Sequence, residues 1–350
     1  MKKSIYLKSL SELQEIMNNS KVTSFINYAK VVTLVIMNMR YEKIAFNSKF
    51  NEHPYLLTKQ IIDDAILQYK QFLDISFIED LSIKQENSKS KIKEEKHEDL
   101  FNEIWNRYDA VQFQEYIERY NTRIKINNIQ NLIKDKQCVD LGCGNGVFCF
   151  ALLENGAKEA IGVDFGKNSI EYASFVSKQR GLEKCTLFKN ATVYDTGFDD
   201  NSFDFAIQNG VFHHLDDEDK AIQETRRILK KGGWFWYYTD GEGGISYDLW
   251  DTSVNILQDV SALFIENILI NMNISRNKMV HLMDGLSATY AHTSWDKITK
   301  RLSEYGFGNF KRLTGGFNTD FDLDRIESDP YGKEKFGEGD LRLLCQLVEK

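Results

Sequence analysis

Apolar side chains in the first 80 residues recur at helical spacing, with a single proline, Pro54, and no turn-rich cluster. This pattern predicts a mostly helical region. The next stretch, residues 82–99, is a polar, mixed-charge run without glycine or proline, typical of a solvated helix or a mobile linker. We therefore expect a helical N-terminal region of unknown role over residues 1–95 and a second domain over residues 96–350.

The hydrophobic pattern changes character after residue 100. Helical spacing first continues to Ile124, which predicts a long amphipathic helix. Short apolar runs then alternate with helical stretches. Strands are predicted at Cys138–Leu141, Ala160–Val163, Cys185–Phe188, Phe203–Ile207 and Gly233–Tyr238, with helices near 146–155, 168–180, 218–230 and 294–306. Such alternation indicates a parallel sheet covered by helices on both faces.

Two further strands are predicted near residues 309–315 and 341–347. No helix-length apolar pattern separates them, so we expect an antiparallel pair at one edge of the sheet. The expected fold class is α/β: a doubly wound, seven-stranded, mainly parallel sheet with an antiparallel last strand, preceded by the helical N-terminal region.

A glycine-rich segment follows the first predicted strand. Asp140 and Leu141 lead into Gly142-Cys143-Gly144-Asn145-Gly146, where a helix is predicted to begin. Glycines at such a position let the backbone turn sharply and approach a ligand closely at the helix N-terminus. The G-x-G-x-x-G fingerprint of nicotinamide and flavin sites is excluded because Val147 occupies its last position, and no Gly-Lys-Ser/Thr of a P-loop follows.

An acidic residue ends the second predicted strand. Asp164, followed by Phe165, lies 22 residues after Gly142. A carboxylate at this place in a strand–helix–strand unit can accept two hydrogen bonds from a ribose diol. The pair of features therefore favours a nucleoside-containing ligand.

The segment Asp140 to Gly146 resembles motif I of the class I S-adenosylmethionine-dependent methyltransferases. The order of the later motifs is similar to that family over roughly residues 100–350. The resemblance implies a Rossmann-like fold, S-adenosyl-L-methionine as cofactor, Asp140 at the methionine amino group and Asp164 at the ribose. The residues that it places at the cofactor are Asp140, Gly142, Cys143, Gly144, Asn145, Gly146, Asp164, Phe165, Asn190, Ala191 and Gln208.

Three later segments support this resemblance. After the third strand the family often has Asp-Ala facing the adenine, and this chain has Asn190-Ala191. The segment 203–215 resembles the "FD…HHL" motif of the quinone-type and small-molecule branch. Residues 229–233 resemble its "LKPGG" turn, with Lys231 in place of proline. Asn190 could still bond the adenine edge through its amide.

Two consecutive histidines, His213 and His214, follow the fourth predicted strand. The resemblance places them near the transferred methyl group, where a histidine could remove a proton from an acceptor O–H or N–H because its pKa is near working pH. Packing against the following helix is the alternative for either ring. Both histidines are therefore the candidate catalytic residues.

Charge and cysteine content exclude other classes. The net charge of −8 gives no basic field for a phosphate backbone, and the (D/N)PPY motif and Pro-Cys pair of DNA methyltransferases are absent. Five cysteines without C-x-x-C spacing indicate reduced thiols and no metal site. Neither a signal peptide nor an apolar run of membrane-spanning length is found. We expect a cytoplasmic protein without nucleic-acid or membrane partners; a homodimer is an open alternative.

Two insertions are expected at the carboxyl side of the strands, over residues 240–292 and 316–340, where lids and acceptor sites lie in doubly wound sheets. The second holds three basic residues and eight acidic ones: Asp320, Asp322, Asp324, Glu327, Asp329, Glu334, Glu338 and Asp340. Two hypotheses for these acids stay open: they form a solvated acidic loop, or some of them recognise a cationic acceptor.

The sequence therefore predicts a methyltransferase that moves a methyl group to an N or O nucleophile of a small molecule by in-line displacement. A protein or RNA acceptor recognised by residues 1–95 is one alternative. A binding or scaffold protein that retains the cofactor pocket without turnover is another.

Overall fold

The computed structural model describes residues 2–47, 52–75, 110–287 and 290–349. The chain divides into two units. A helical unit contains Met1–Ile92, Glu242–Thr289 and Arg325–Gly337, and a sheet unit contains Lys93–Gly241, Tyr290–Asp324 and Glu338–Lys350. The predicted boundary near residue 95 and the polar run 82–99 lie outside the described residues.

The helices, in chain order, are α1 Ser4–Asn18, α2 Ser24–Ala45, α3 Pro54–Ile75, α4 Ala110–Ile126, α5 Gln130–Ile133, α6 Val147–Glu154, α7 Lys167–Gln179, α8 Glu218–Ile228, α9 Ile245–Leu257, α10 Ala262–Asn271, α11 Arg276–Ser287, α12 Trp295–Glu304, α13 Leu323–Ser328 and α14 Gly332–Phe336. The strands are β1 Gln137–Leu141, β2 Glu159–Asp164, β3 Thr186–Asn190, β4 Phe203–Asn209, β5 Leu229–Asp240, β6 Phe307–Arg312 and β7 Asp340–Leu347. A single 3₁₀ turn, Phe212–His214, follows β4.

The seven strands form one sheet in the order β3-β2-β1-β4-β5-β7-β6. Strands β1 to β5 are parallel, and β7 runs antiparallel to both β5 and β6. The predicted fold class is thereby confirmed. Strand β5 is twice the predicted length because Leu229 already pairs with Phe203, after which the register shifts.

The core of the sheet unit lies on both faces of the sheet. Val139 and Leu141 of β1 are fully buried, as expected for a central parallel strand whose two faces are covered. Helices α8 and α12 contribute Ile222 and Leu302 to the same cluster. These layers hold the carboxyl ends of the parallel strands in fixed register, and the predicted site residues lie at or just after the ends of β1, β2, β3 and β4.

The helical unit combines the N-terminal helices with the greater part of each predicted insertion. Helix α2 packs against α3 and α9, and its Asn38 Nδ2 donates to Ser253 Oγ across 3.0 Å. Tyr6 of α1 donates to the carboxylate of Asp248 on α9. Within the described ranges no single helix is long and apolar enough to cross a membrane. The bent pair α9 and α10 passes that test only by length and composition.

Candidate cofactor and acceptor site

The glycine loop, residues 142–146, turns sharply between β1 and α6. Gly142 N and Cys143 N donate to Val163 O at 2.8 and 3.0 Å, which ties the loop to β2. Gly142 has a φ of +83°, and a Cβ there would lie 2.5 Å from the side chain of Val211. This glycine is therefore needed for both conformation and close packing.

Gly144 differs from Gly142 in that open space, and not a packed side chain, lies where its Cβ would be. Its φ is +51°, yet no described atom lies within 4 Å of the position that a Cβ would occupy. Its N–H donates to Asp164 Oδ2 at 2.8 Å. The loop thus offers a backbone cradle with space above it at the N-terminus of α6.

Asp164 ends β2 and holds two backbone groups. Its Oδ2 accepts from Gly144 N, and its Oδ1 accepts from Gly166 N at 2.8 Å. Asn190, its partner across β2 and β3, donates from Nδ2 to Phe165 O at 2.7 Å and to Asp164 O at 3.1 Å. Ala191 N donates to the same Asp164 carbonyl at 3.1 Å. Phe165 itself is 44% exposed. The structure therefore brings these four residues together at one edge of the sheet.

Asp140 is buried one residue before the end of β1, with 3% of its surface exposed. Burial, reinforced by the nearby charge of Asp164, raises the pKa of Asp140 to about 8. Its Oδ2 lies 4.0 Å from Cys149 Sγ. A carboxyl group in such surroundings is stabilised as an anion only when a cation is brought to it.

Cys143 and Asn145, the other two residues of the glycine loop, are buried at 6% and 4% exposure. The Cys143 thiol packs where a Cβ on Gly162 would lie, 2.6 Å away, and burial raises its pKa well above the usual value. The thiol is therefore a packing group. A contribution of both residues to cofactor binding stays a prediction.

Gln208, near the carboxyl end of β4, is fully buried. Its Nε2 donates to Tyr238 O at 2.8 Å, and its Oε1 accepts from Val211 N and Phe212 N at 3.1 and 3.2 Å. The side chain therefore shapes the turn after β4, and its assignment to the cofactor stays a prediction.

His213 and His214 lie side by side after β4, 3% and 4% exposed. Their Nε2 atoms are 3.0 Å apart. His213 Nδ1 accepts from Asp240 N at 3.2 Å, and Thr239 Oγ1 is also 3.2 Å away. Tyr290 packs against both imidazoles, with ring centroids 5.2 and 4.7 Å away. The two rings thus form one hydrogen-bonded unit at the carboxyl ends of β4 and β5.

Comparison with known families agrees with this geometry. Residues 139–237, which contain the glycine loop, Asp164, Asn190 and the histidine pair, match the profile of the family described as "Methyltransferase domain". Residues 139–237 are therefore similar to a methyltransferase domain.

Three curated relatives are similar to part of this chain. An uncharacterized methyltransferase, YcgJ, of Bacillus subtilis is 34% identical over 110 residues, covering 30% of this chain and 43% of the relative. Demethylmenaquinone methyltransferase of Staphylococcus epidermidis is 28% identical over 149 residues, covering 42% and 61%. The tRNA U34 carboxymethyltransferase of Helicobacter acinonychis is 30% identical over 117 residues, covering 33% and 45%. The chain spans about half the length of these relatives.

The crystal structure of the Bacillus subtilis YcgJ protein aligns with a TM-score of 0.43 and 19% identity, covering 67% of this chain and 99% of that chain.

Helix α4 packs next to the glycine loop. Tyr120 stacks on Phe148 of α6 at a centroid distance of 4.2 Å, and its hydroxyl accepts from Asn209 Nδ2 at 3.2 Å. Trp236 Nε1 donates to Asn209 Oδ1 at 3.2 Å. Sequence reasoning missed Asn209, although the last residue of β4 lies where doubly wound sheets bind ligands.

Three acids of the predicted 316–340 loop are paired inside the sheet unit. Asp320, Asp322 and Asp340 are 3%, 8% and 8% exposed. Arg342 of β7 contacts all three, and Arg123 of α4 donates to Asp320 Oδ1 at 2.9 Å. We call these five residues, with Arg119, the arginine–aspartate network. The expectation of a solvated loop is wrong for these three acids, because the chain's own guanidinium groups bury them.

A surface depression of about 550 Å³ lies along the outer face of α4. It is lined by Val111, Gln114, Glu115, Glu118, Arg119, Thr122 and Phe317. None of the predicted cofactor residues belongs to it, so we do not assign it to the reaction. Among the residues that the structure describes, no group of three or more His, Cys, Asp or Glu is arranged to hold a metal ion.

Proposed function

We propose that this protein transfers a methyl group from S-adenosyl-L-methionine to an N or O nucleophile of a small molecule. The observation that carries the proposal is Gly144, whose left-handed backbone donates to Asp164 and whose missing Cβ would project into the open space above the loop. A backbone surface left open by glycine at a helix N-terminus fits a ligand that must come close to the main chain.

The residues present fit this cofactor in charge and shape. Each oxygen of Asp164 has two lone pairs, so its bonds to Gly144 and Gly166 are compatible with further bonds to the ribose hydroxyls. Buried Asp140 would pair with the methionine ammonium. Phe165, with its exposed ring, would face the adenine, and Asn190 would hold the end of β2 beneath it.

When bound, the cofactor supplies an activated methyl group on a sulfonium, so little covalent chemistry remains for the protein. The chain's residues would hold the acceptor nucleophile in line with that bond and exclude water. Burial of His213 and His214 at the end of β4 is consistent with a water-poor acceptor side.

A small-molecule acceptor is supported by the net charge of −8 and by relatives named for quinone methylation. A tRNA acceptor is the second candidate, favoured by the relative named as a tRNA U34 carboxymethyltransferase. A cationic acceptor loses its support from Asp320, Asp322 and Asp340, since arginines already neutralise them.

Mass-shift screening tests the acceptor class. The protein is incubated with the labelled cofactor and either a panel of phenols, quinols and amines or total tRNA. We expect label in the small-molecule fraction. Label found only in tRNA would favour the second candidate, and cofactor binding without label in either would favour a scaffold.

Replacing Gly144 by Ala should weaken cofactor binding about tenfold, because the added methyl group occupies the cradle. Gly181 provides a matched control, since it also has a positive φ, +68°, and open space at its Cβ, but lies at the end of α7. Both variants should lose about 1–2 kcal/mol of stability from the left-handed backbone. Calorimetric titration with S-adenosylmethionine should separate them; equal affinities would contradict the assignment.

Replacing Asp164 by Ala should weaken cofactor binding by about 10- to 100-fold, as expected when hydrogen bonds to a charged group, worth about 1.5–3 kcal/mol each, are lost. The same titration measures it. Asp195→Ala, an acid outside the glycine loop and β2, serves as the control. An Asp164→Ala variant that binds as tightly as the parent would remove the central assignment.

A further inference from the structure

The protonation state of the His213–His214 pair follows from its hydrogen bonds. The backbone N–H of Asp240 is directed at His213 Nδ1 over 3.2 Å. A main-chain N–H can only donate, so this ring nitrogen must present its lone pair. His213 consequently carries its single proton on Nε2.

The second ring follows from the first. His213 Nε2 lies 3.0 Å from His214 Nε2, and the proton on the former makes the latter the acceptor. A neutral His214 therefore carries its own proton on Nδ1. Each neutral ring has one lone pair, and both lone pairs are used within this chain of bonds: Asp240 N–H to His213, and His213 to His214.

The same pair anchors the segment 290–293 across the carboxyl ends of β4 and β5. Ala291 N donates to His213 O at 2.9 Å, and Thr293 N donates to Asp240 O at 3.3 Å. The ring of Tyr290 covers both imidazoles, and His292 stacks on Tyr290 at 6.1 Å. The segment is thus held by main-chain carbonyls of His213 and Asp240, the two residues whose other groups are joined by the bond to His213 Nδ1.

We propose that His213 is a positioning residue that fixes His214 as a hydrogen-bond donor, so that neither ring acts as the general base of methyl transfer. The inference rests on the proposed function only in its consequence for the acceptor. The acceptor must then be nucleophilic without first giving a proton to either histidine. A neutral amine or an already ionised phenol meets this condition, and an aliphatic alcohol would be a poor substrate.

Nitrogen-15 NMR of the histidine rings tests the tautomers without any acceptor. The full chain contains six histidines, which single substitutions assign. At neutral pH we expect His213 protonated at Nε2 alone and His214 at Nδ1 alone. Among the described residues, Tyr238 and Tyr290 pack against the pair, Asp240 bonds to it through its backbone N–H, and His292 stacks on Tyr290. A His213 proton on Nδ1, or an imidazolium in either ring, would overturn the proposal.

Hydrogen exchange at the Asp240 amide provides the second measurement. His213→Ala removes the acceptor, so exchange of that amide should accelerate about tenfold or more, in line with the loss of one buried hydrogen bond. His213→Asn places a side-chain oxygen near the position of Nδ1 and should restore protection. Acceleration of equal size in both variants would contradict the acceptor role of Nδ1. Because neither readout involves the cofactor, failure here is distinct from failure of the proposed function, which would appear as absent cofactor binding.

Discussion

Replacing Arg342 by Met is expected to destabilise the protein by about 3–5 kcal/mol, the usual cost of leaving a buried charge without its partner. Arg342 is 3% exposed, and its two terminal nitrogens contact Asp322 at 2.9 Å, Asp340 at 3.0 Å and Asp320 at 3.4 Å. Met matches the apolar length of the arginine but leaves these carboxylates facing one another. Denaturant unfolding monitored by circular dichroism measures the loss.

Lys230→Met is the control for removal of a single charge. Its pair with Asp204 is half-exposed, at 3.0 Å, and such pairs contribute about 0–1 kcal/mol. If Arg342→Met unfolds at the same denaturant concentration as Lys230→Met, the arginine–aspartate network does not stabilise the fold.

The loss in Arg342→Met should shrink in acid. Burial opposes ionisation of Asp320, but Arg342, Arg123 and Arg119 together hold its pKa below the usual value. A depressed carboxyl pKa contributes stability above the unfolded value, near 3.9, and that contribution disappears as the pH falls below about 4. The free energies of unfolding of the parent and of Arg342→Met should therefore converge as the pH falls. A difference that stays constant with pH would exclude an electrostatic origin of the lost stability.

Replacing Asp140 by Asn is expected to abolish most cofactor affinity while stabilising the ligand-free protein. Removing one partner of a buried charge pair costs about 2–5 kcal/mol in binding, roughly 30- to 5000-fold. Without the cofactor, burial and the charge of Asp164 oppose ionisation of Asp140 and raise its pKa to about 8, so an ionised Asp140 destabilises the ligand-free parent. Titration calorimetry and thermal unfolding of the same samples measure both effects.

The pH dependence has a definite sign. A carboxyl pKa raised from near 3.9 to about 8 means that the folded chain retains a proton that the unfolded chain releases. Its contribution to stability is complete below about pH 4 and is lost as the pH rises to about 8. The extra stability of ligand-free Asp140→Asn over the parent should therefore grow between about pH 4 and about pH 8. Cofactor binding below about pH 8 should release a proton from Asp140 in the parent. Calorimetry in buffers of different ionisation enthalpy detects that proton; its absence would contradict the raised pKa.

The sequence indicated the sheet because its signals are local. Buried apolar runs, the glycines after β1 and the acid after β2 all lie within a few residues of the element they define. The same holds for the cofactor edge, since Asp164 and Asn190 lie at the register-matched ends of neighbouring parallel strands.

Contacts between distant positions could not be read in this way. Arg123 and Asp320 are 197 residues apart, and neither carries a local sign of the other. The acid-rich composition of residues 316–340 was visible, but composition does not reveal which acids are buried against arginine. The tautomer of His213 depends on a backbone N–H 27 residues away, which no side-chain motif records.

The position of β7 between β5 and β6 bears on the order in which the chain can fold during synthesis. Among the strands that the structure describes, β6 pairs only with β7, so residues 307–312 wait at the ribosome for this pairing until residues 340–347 have been made. Domains form from the N-terminus as they emerge, and β1 to β5 can assemble first. Arg342 arrives in the same final strand and brings the positive charge that pairs with Asp322, whereas Asp320 already has Arg119 and Arg123 of α4. A nascent chain arrested before residue 340 would thus expose the edge of β5 and lack the arginine that pairs with Asp322.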